Sequence, residues 1–308
     1  RRQRQMCIRD RDVPLFFSIS LAQWSLHKAY FGENINWQAL GSDDPSAILQ
    51  GDIDPIDFAV LARNEFDVSG VEYVNTFYFD KAEDTSYLNE LKQRASDHDV
   101  ESVLIMCDAL GNLGDLDESA RITAVENHYK WVNAAKYLGC HSIRVNAAGN
   151  GTAQEVADAA VDGLGRLAEY GAGEGINIIV ENHGGYSSNG EWLTGVMAQV
   201  NNEFCGTLPD FGNFCVEWNP EEGCTNMYDR YKGLEELMPY AKGVSAKSHE
   251  FDANGNETAS DYARMMKIVK DAGYKGFVGI EYEGSELTEF EGIRATKELL
   301  EKVGKELS

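Results

Sequence analysis

Strand-like and helix-like patterns alternate along this chain without a break, and that alternation constrains its fold more than any other feature. Apolar runs rich in β-branched residues fall at 16–21, 70–75, 102–108, 142–147, 177–183, 206–210, 243–247 and 277–282. Amphipathic runs at 55–66, 86–98, 118–138, 153–170, 191–201, 228–238, 260–272 and 286–303 read as helices. Pro55 opens one of them, and two others stop at a glycine, "AAKYLG" at Gly139 and "IVKDAG" at Gly273. Strict alternation implies parallel strands joined by right-handed crossovers. Eight such units in 308 residues predict an α/β fold, a single-domain (β/α)8 barrel. A doubly wound open sheet is the competing architecture. It calls for a glycine-rich phosphate loop after the first strand, where this chain has "AQWSLHKAYFGENINW".

The barrel is assigned to residues 13–308. Residues 1–12, "RRQRQMCIRDRD", are basic and aperiodic and read as a tail outside it. They lack the apolar segment of a translocation signal, so a cytoplasmic location is favoured. The net charge of −24 argues against nucleic acid or an anionic membrane as a partner, because both repel a polyanion. No apolar run approaches the roughly 18 residues that a membrane helix needs. Six cysteines without a C-x-x-C suggest neither a zinc ribbon nor a disulfide framework; a Cys215–Cys224 loop bridge is left open.

In a barrel, chemistry gathers at the C-terminal ends of the strands. The fifth strand ends "IIVENHGG", which puts Glu181 and His183 on one face by the two-residue period. The sixth gives Asp210 and Asn213, the seventh Lys247 and His249, and the eighth Glu281 and Glu283. Earlier ends contribute Trp24, His27, Asn75, Asp108, Arg144 and Asn146. Carboxylates aimed into one narrow mouth repel each other and lose hydration. A divalent cation is the simplest compensation. Three carboxylates with an imidazole suit Mn2+, Mg2+, Co2+ or Zn2+. One such residue alone reads more plainly as a helix cap or a solvated loop residue. The conjunction on four successive strands carries the argument. Trp24, Trp37, Trp192 and Trp218 read either as stacking surfaces for a sugar or as packing, and Arg144 and Asn146 as site residues or as a polar plug in the barrel. The only phosphate-loop candidate is "NAAGNGT" at 146–152, so a neutral sugar is favoured over a sugar phosphate.

The motifs "VENHGG", "LPDFGN", "AKSHEFD" and "IEYEG", in this order, resemble those of the xylose isomerase-like TIM barrels, the sugar phosphate isomerase/epimerase family. The resemblance implies one divalent ion, Mn2+ first, held by Glu181, Asp210, His249 and Glu281, with Glu181 and Glu281 as the proton-transfer pair. His183 and Lys247 are then the candidates for an additional acid. Trp24, Asp108, Asn146, Asn213 and Glu283 are the candidate substrate contacts. Two positions depart from the family pattern. Ser245 stands where the seventh strand often has its histidine, and Asn213 where a histidine often follows the sixth strand. The implied chemistry is abstraction of a proton beside a carbonyl through a metal-stabilised enediolate. Its outcome is a sugar isomerase or epimerase, or a lyase acting by β-elimination on 3-keto glycosides or a related dehydratase. A nuclease of the same superfamily would need more histidines and a basic groove. A non-catalytic sugar-binding barrel would not need four ionisable strand ends. Barrels of this class associate, so a homo-oligomer is expected.

Overall fold

The computed structural model describes residues 14–41 and 44–308; the tail assigned to 1–12, with Cys7, lies outside the described residues. Eight parallel strands form the central sheet: β1 (Ser18–Ala22), β2 (Gly70–Val74), β3 (Glu101–Met106), β4 (Ser142–Val145), β5 (Asn177–Glu181), β6 (Cys205–Leu208), β9 (Val244–Ser248) and β10 (Phe277–Tyr282). Their spatial order is β6-β5-β4-β3-β2-β1-β10-β9. The two ends of that series meet, which closes the barrel. Lys242 N donates to Thr207 O (3.0 Å), Ser245 N to Pro209 O (2.9 Å) and Phe211 N to Ser245 O (3.1 Å). The expected (β/α)8 barrel is the fold observed.

Helices α2 (Phe58–Phe66), α3 (Thr85–Asp97), α4 (Glu118–Leu138), α5 (Ala153–Glu174), α6 (Gly190–Val200), α7 (Arg230–Leu237), α8 (Tyr262–Asp271) and α9 (Glu289–Leu307) wrap the sheet. Part of the chain's acidity is spent on starting them. The carboxylates of Asp84, Asp117, Asp229 and Asp261 each accept from a backbone N–H in the first turn that follows. Gly139 ends α4 in the left-handed region (φ 88°), as its position in the sequence implied.

Two elements escaped the sequence reading. The β1 strand runs into a 3-10 turn at Gln23–Leu26 and a short helix, α1 (His27–Phe31). Between β6 and α7 an antiparallel hairpin, β7 (Cys215–Asn219) and β8 (Gly223–Met227), is tied across by a Cys215–Cys224 disulfide. Both hairpin strands are half-exposed or exposed along their length, so they lack the apolar alternation that announces a strand.

The barrel interior is layered by the two-residue period. Leu104, Ile179 and Leu208 meet around Gly243, whose missing side chain leaves them room. One step further along the same strands stand Glu181, Asp210 and Ser245. An apolar floor therefore carries a polar layer at the C-terminal mouth.

The glycines of "NAAGNGT" are explained by packing. A Cβ on Gly149 would collide with the carbonyl of Gly114. At the start of α5, Thr152 and Glu155 form a capping box, in which the Glu155 carboxylate accepts from Thr152 N at 2.9 Å. The chain's own carboxylate thus takes the Thr152 amide at this helix start. Gly149→Ala should lower unfolding stability by about 1–3 kcal/mol. Urea unfolding would show it as a lower midpoint at unchanged slope, and millimolar phosphate should not raise the midpoint of either protein.

Candidate metal centre and active site

Glu181 is the last residue of β5, Asp210 lies two residues past β6, and Glu281 is the penultimate residue of β10. All three are buried, with relative exposures of 1%, 0% and 3%. One carboxylate oxygen from each lies within 4.8 Å of the others. The loop after β6 is clamped to make this possible. Asn182 accepts from Asp210 N (2.7 Å) and donates to the carbonyls of Asp210 (3.0 Å) and Asn213 (2.9 Å). Asp210 Oδ1 in turn accepts from Gly212 N (2.8 Å) and Asn213 N (2.7 Å). Asn213 Nδ2 donates to Glu181 Oε1 at 3.0 Å.

Two features of this cluster suit it to a further positive charge. Ser245 Oγ sits between Asp210 Oδ2 (2.6 Å) and Glu281 Oε2 (2.9 Å), but a hydroxyl has one proton and can serve one of them. Glu181 Oε2 is buried and makes no hydrogen bond; Arg144 Nε is 2.8 Å away but poorly aligned, and it too is unbonded. An oxygen in that state, beside two further carboxylates, is a donor set suited to a hard divalent cation. Glu181, Asp210 and Glu281 are the residues that would hold it.

Two permanent cations flank the group. Lys247 Nζ lies 3.3 Å from Glu281 Oε1 and 3.1 Å from Glu283 Oε1. Arg144 Nη1 donates to Asp108 Oδ1 at 2.6 Å, an oxygen that also accepts from Asn146 Nδ2 at 2.8 Å. Asn75 pins the Asp108 backbone through both of its amide atoms.

These surroundings set the protonation states. Burial pushes Glu181 up to about 7, against the pull of Arg144, and Asp210 up to about 7, against that of Lys247. Burial also raises Glu72, inside the barrel, to about 8. Burial works against ionisation of Asp108 too, but Arg144 overrides it and brings this carboxyl down to about 2. In the same way Lys247 holds Glu283 below the usual carboxylate range despite its burial. The carboxylates around Lys247, Glu281 foremost, keep its ammonium charged although burial opposes it. His183 is lowered by desolvation and by the neighbouring charges of Arg144 and Lys247.

The structure thus gathers Glu181, Asp210, Glu281, Lys247, Asn213 and Glu283 in one place. It sets Asp108 and Asn146 beside them through Arg144. His183 stands at the solvent-facing rim of the same mouth. His249 is half-buried beyond β9 and is not part of the carboxylate group. Ser245 takes the place between Asp210 and Glu281. Trp24 stacks on His27 (centroids 5.1 Å apart) and packs near Phe31 (6.0 Å) and Phe77 (6.2 Å). Glu72 and Asn182 went unread in the sequence. Glu72 accepts from Ser20 Oγ at 2.6 Å and occupies the space left by Gly279. Its signal was a lone charge inside the apolar run "GVEYV".

Comparison with known proteins agrees with the fold. A stretch of 49 residues, 16% of this chain and 14% of that protein, is 39% identical to the C-glycoside deglycosidase alpha subunit of Arthrobacter globiformis. The 3-keto-D-glucoside 4-epimerase of E. coli superposes with a TM-score of 0.63 at 14% identity, over 82% of this chain and 95% of that one. The IOLI protein, solved with a bound zinc atom, superposes with a TM-score of 0.66 at 15% identity, over 94% and 99%. Residues 58–303 match the family described as xylose isomerase-like TIM barrel, and this chain belongs to that family.

Proposed function

We propose that this chain is a divalent-metal-dependent enzyme that removes a proton beside the carbonyl of a sugar or keto-sugar, as a sugar isomerase or epimerase. The observation that carries this reading is the buried group of Glu181, Asp210 and Glu281, in which Glu181 Oε2 is ion-paired to Arg144 but accepts no hydrogen bond. A bound cation would supply positive charge where negative charge develops on the substrate oxygen. The donors are carboxylate oxygens without an imidazole, which suits Mn2+ or Mg2+ better than Zn2+.

The protein's own part is proton handling and orientation. Glu181 is a carboxylate placed to take a proton, and Glu281, in the same buried group, is placed to return one. Arg144, anchored on Asp108, fixes the position of the Glu181 carboxylate. Lys247 does the same for Glu281 and Glu283 and adds a charged donor toward the mouth. The second reading, β-elimination from a 3-keto glycoside, is favoured by the local likeness to a C-glycoside deglycosidase subunit. In that case His183, kept neutral, is the group placed to handle a leaving-group proton.

Protein purified without added metal and analysed for elements should carry Mn, Mg or Co, and Glu181→Gln should lose it. On an accepted keto-sugar, Glu281→Gln should lower kcat by about 100- to 10,000-fold. No metal in the wild-type protein, or metal and activity unchanged in both variants, would overturn this reading.

Charge burial gives a pH signature as well. Glu72, Glu181 and Asp210 bind their protons more tightly folded than unfolded. Their stabilisation is complete below the unfolded carboxyl range, near pH 4, and is lost as pH rises through about 7 to 8. Asp108 acts in the opposite sense, but only below the unfolded carboxyl range, toward pH 2. Metal-stripped protein should therefore melt at a lower temperature at pH 8 than at pH 5, and Mn2+ should restore the midpoint at pH 8. A flat midpoint between those two pH values would show that the cluster is compensated without a cation.

A further inference from the structure

Among the described cysteines, Cys107, Cys140 and Cys205 are free and buried in the barrel. Cys215 and Cys224 are half-buried, and they are bonded to each other on the hairpin β7–β8. Little else holds that hairpin closed. Trp218 and Met227, its two largest apolar side chains, are 72% and 51% exposed, so neither pins it to the barrel. Its ladder shifts register twice, between Cys215 and Glu217 and between Glu217 and Trp218. A two-stranded ribbon of this kind is marginal in water without further support. The disulfide supplies that support.

The hairpin grows directly out of the metal centre. Cys215, the first residue of β7, stands two residues after Asn213. Asn213 donates to Glu181 Oε1 at 3.0 Å through its side chain and to Asp210 Oδ1 at 2.7 Å through its backbone amide. Its carbonyl accepts from Asn182 Nδ2 (2.9 Å) and Ser188 Oγ (2.8 Å). Ser188 ends the 3-10 turn Gly185–Ser188, against which β7 packs. At the base of the hairpin, Tyr228 N donates to Phe214 O at 2.8 Å, so the returning strand fixes the residue between Asn213 and Cys215. What keeps β7 and β8 together therefore also steadies the side chain that orients Glu181.

We propose that the Cys215–Cys224 disulfide is a thiol-exchange site that controls the metal centre. Closed, it holds Asn213 on Glu181; opened by a small-molecule thiol, it lets the hairpin part and weakens the grip on the cation. This rests on the metal reading above and adds its regulation. In the exchange, a thiolate attacks one sulfur of the bond, and the other sulfur leaves and takes up a proton. A second thiol then displaces the first from the mixed disulfide. Two thiols are oxidised to their disulfide, and Cys215 and Cys224 are reduced to thiols.

Mn2+ titration of metal-stripped protein tests it, with free Mn2+ read by electron paramagnetic resonance. The titration is run before and after treatment with dithiothreitol, which is removed by gel filtration under argon. Reduction should weaken Mn2+ binding about tenfold or more, as loss of a hydrogen bond that orients a metal ligand implies, and reoxidation should restore it. Reduction should also open the exposed Glu217, Glu221 and Glu222 to a glutamyl endopeptidase. The double variant Cys215→Ser, Cys224→Ser should bind Mn2+ as the reduced protein does and ignore dithiothreitol. Asn213→Ala should weaken binding in the oxidised protein and leave little for reduction to add. Equal Mn2+ affinity in oxidised and reduced wild-type protein would overturn the proposal and leave the metal reading standing. Mn2+ held by neither form would overturn both. Alkylation of Cys215 and Cys224 in protein isolated in air without reductant would show that the bond does not form, and would overturn the proposal too.

Discussion

The crowding of carboxyl groups in a space too narrow to hydrate them governs this molecule. Glu72, Glu181, Asp210 and Glu281 are buried at the barrel's centre, with Asp108 and Glu283 at its edge, against the permanent charges of Arg144 and Lys247. The two cations divide the work. Arg144 fully ionises Asp108, and Lys247 does so for Glu283. What is left over falls on Glu181 and Asp210, whose protons are held up to near neutrality. That residue of uncompensated charge is the physical reason the site suits a divalent ion. It also accounts for the hydrogen bonds around the site: Asn182, Asn213 and the amides of Gly212 and Asn213 fix each oxygen so that repulsion cannot splay the group.

The acidity of the rest of the chain has a different origin. Aspartates at the start of α3, α4, α7 and α8 satisfy first-turn amides, and capping boxes do so for α5 and α9. A net charge of −24 is therefore not one electrostatic device but two, one holding helix ends and one building the mouth.

Most of the barrel was legible because each strand is a short apolar run bounded by turn residues and each helix carries a periodic apolar face. The ends of α4, from Glu118 to Leu138, were readable to the residue because a cap and a glycine bracket them. The hairpin was not, since a strand exposed on both faces has no apolar signature, and its disulfide depends on a pairing that only the fold creates. In the site, Glu181, Asp210 and Glu281 were legible as charges at strand ends. The standing of His249 was not. Parity along the seventh barrel strand puts it on the same face as Ser245, and it is the Ser245 hydroxyl that meets Asp210 and Glu281. Glu72 stayed hidden because a sequence does not reveal that Gly279, on another strand, has cleared a space for it.

The line along which the barrel closes runs through the chemistry. Asp210 and Ser245 pair across it, and Ser245 Oγ reaches Asp210 on the inner side. Glu181 and Asp210 stand on one lip of that seam, and Lys247 and Glu281 on the other. While the seam is open, its two lips stand apart and the group is not assembled. An ion held by both lips would act as a rivet, tying the barrel together where it shuts.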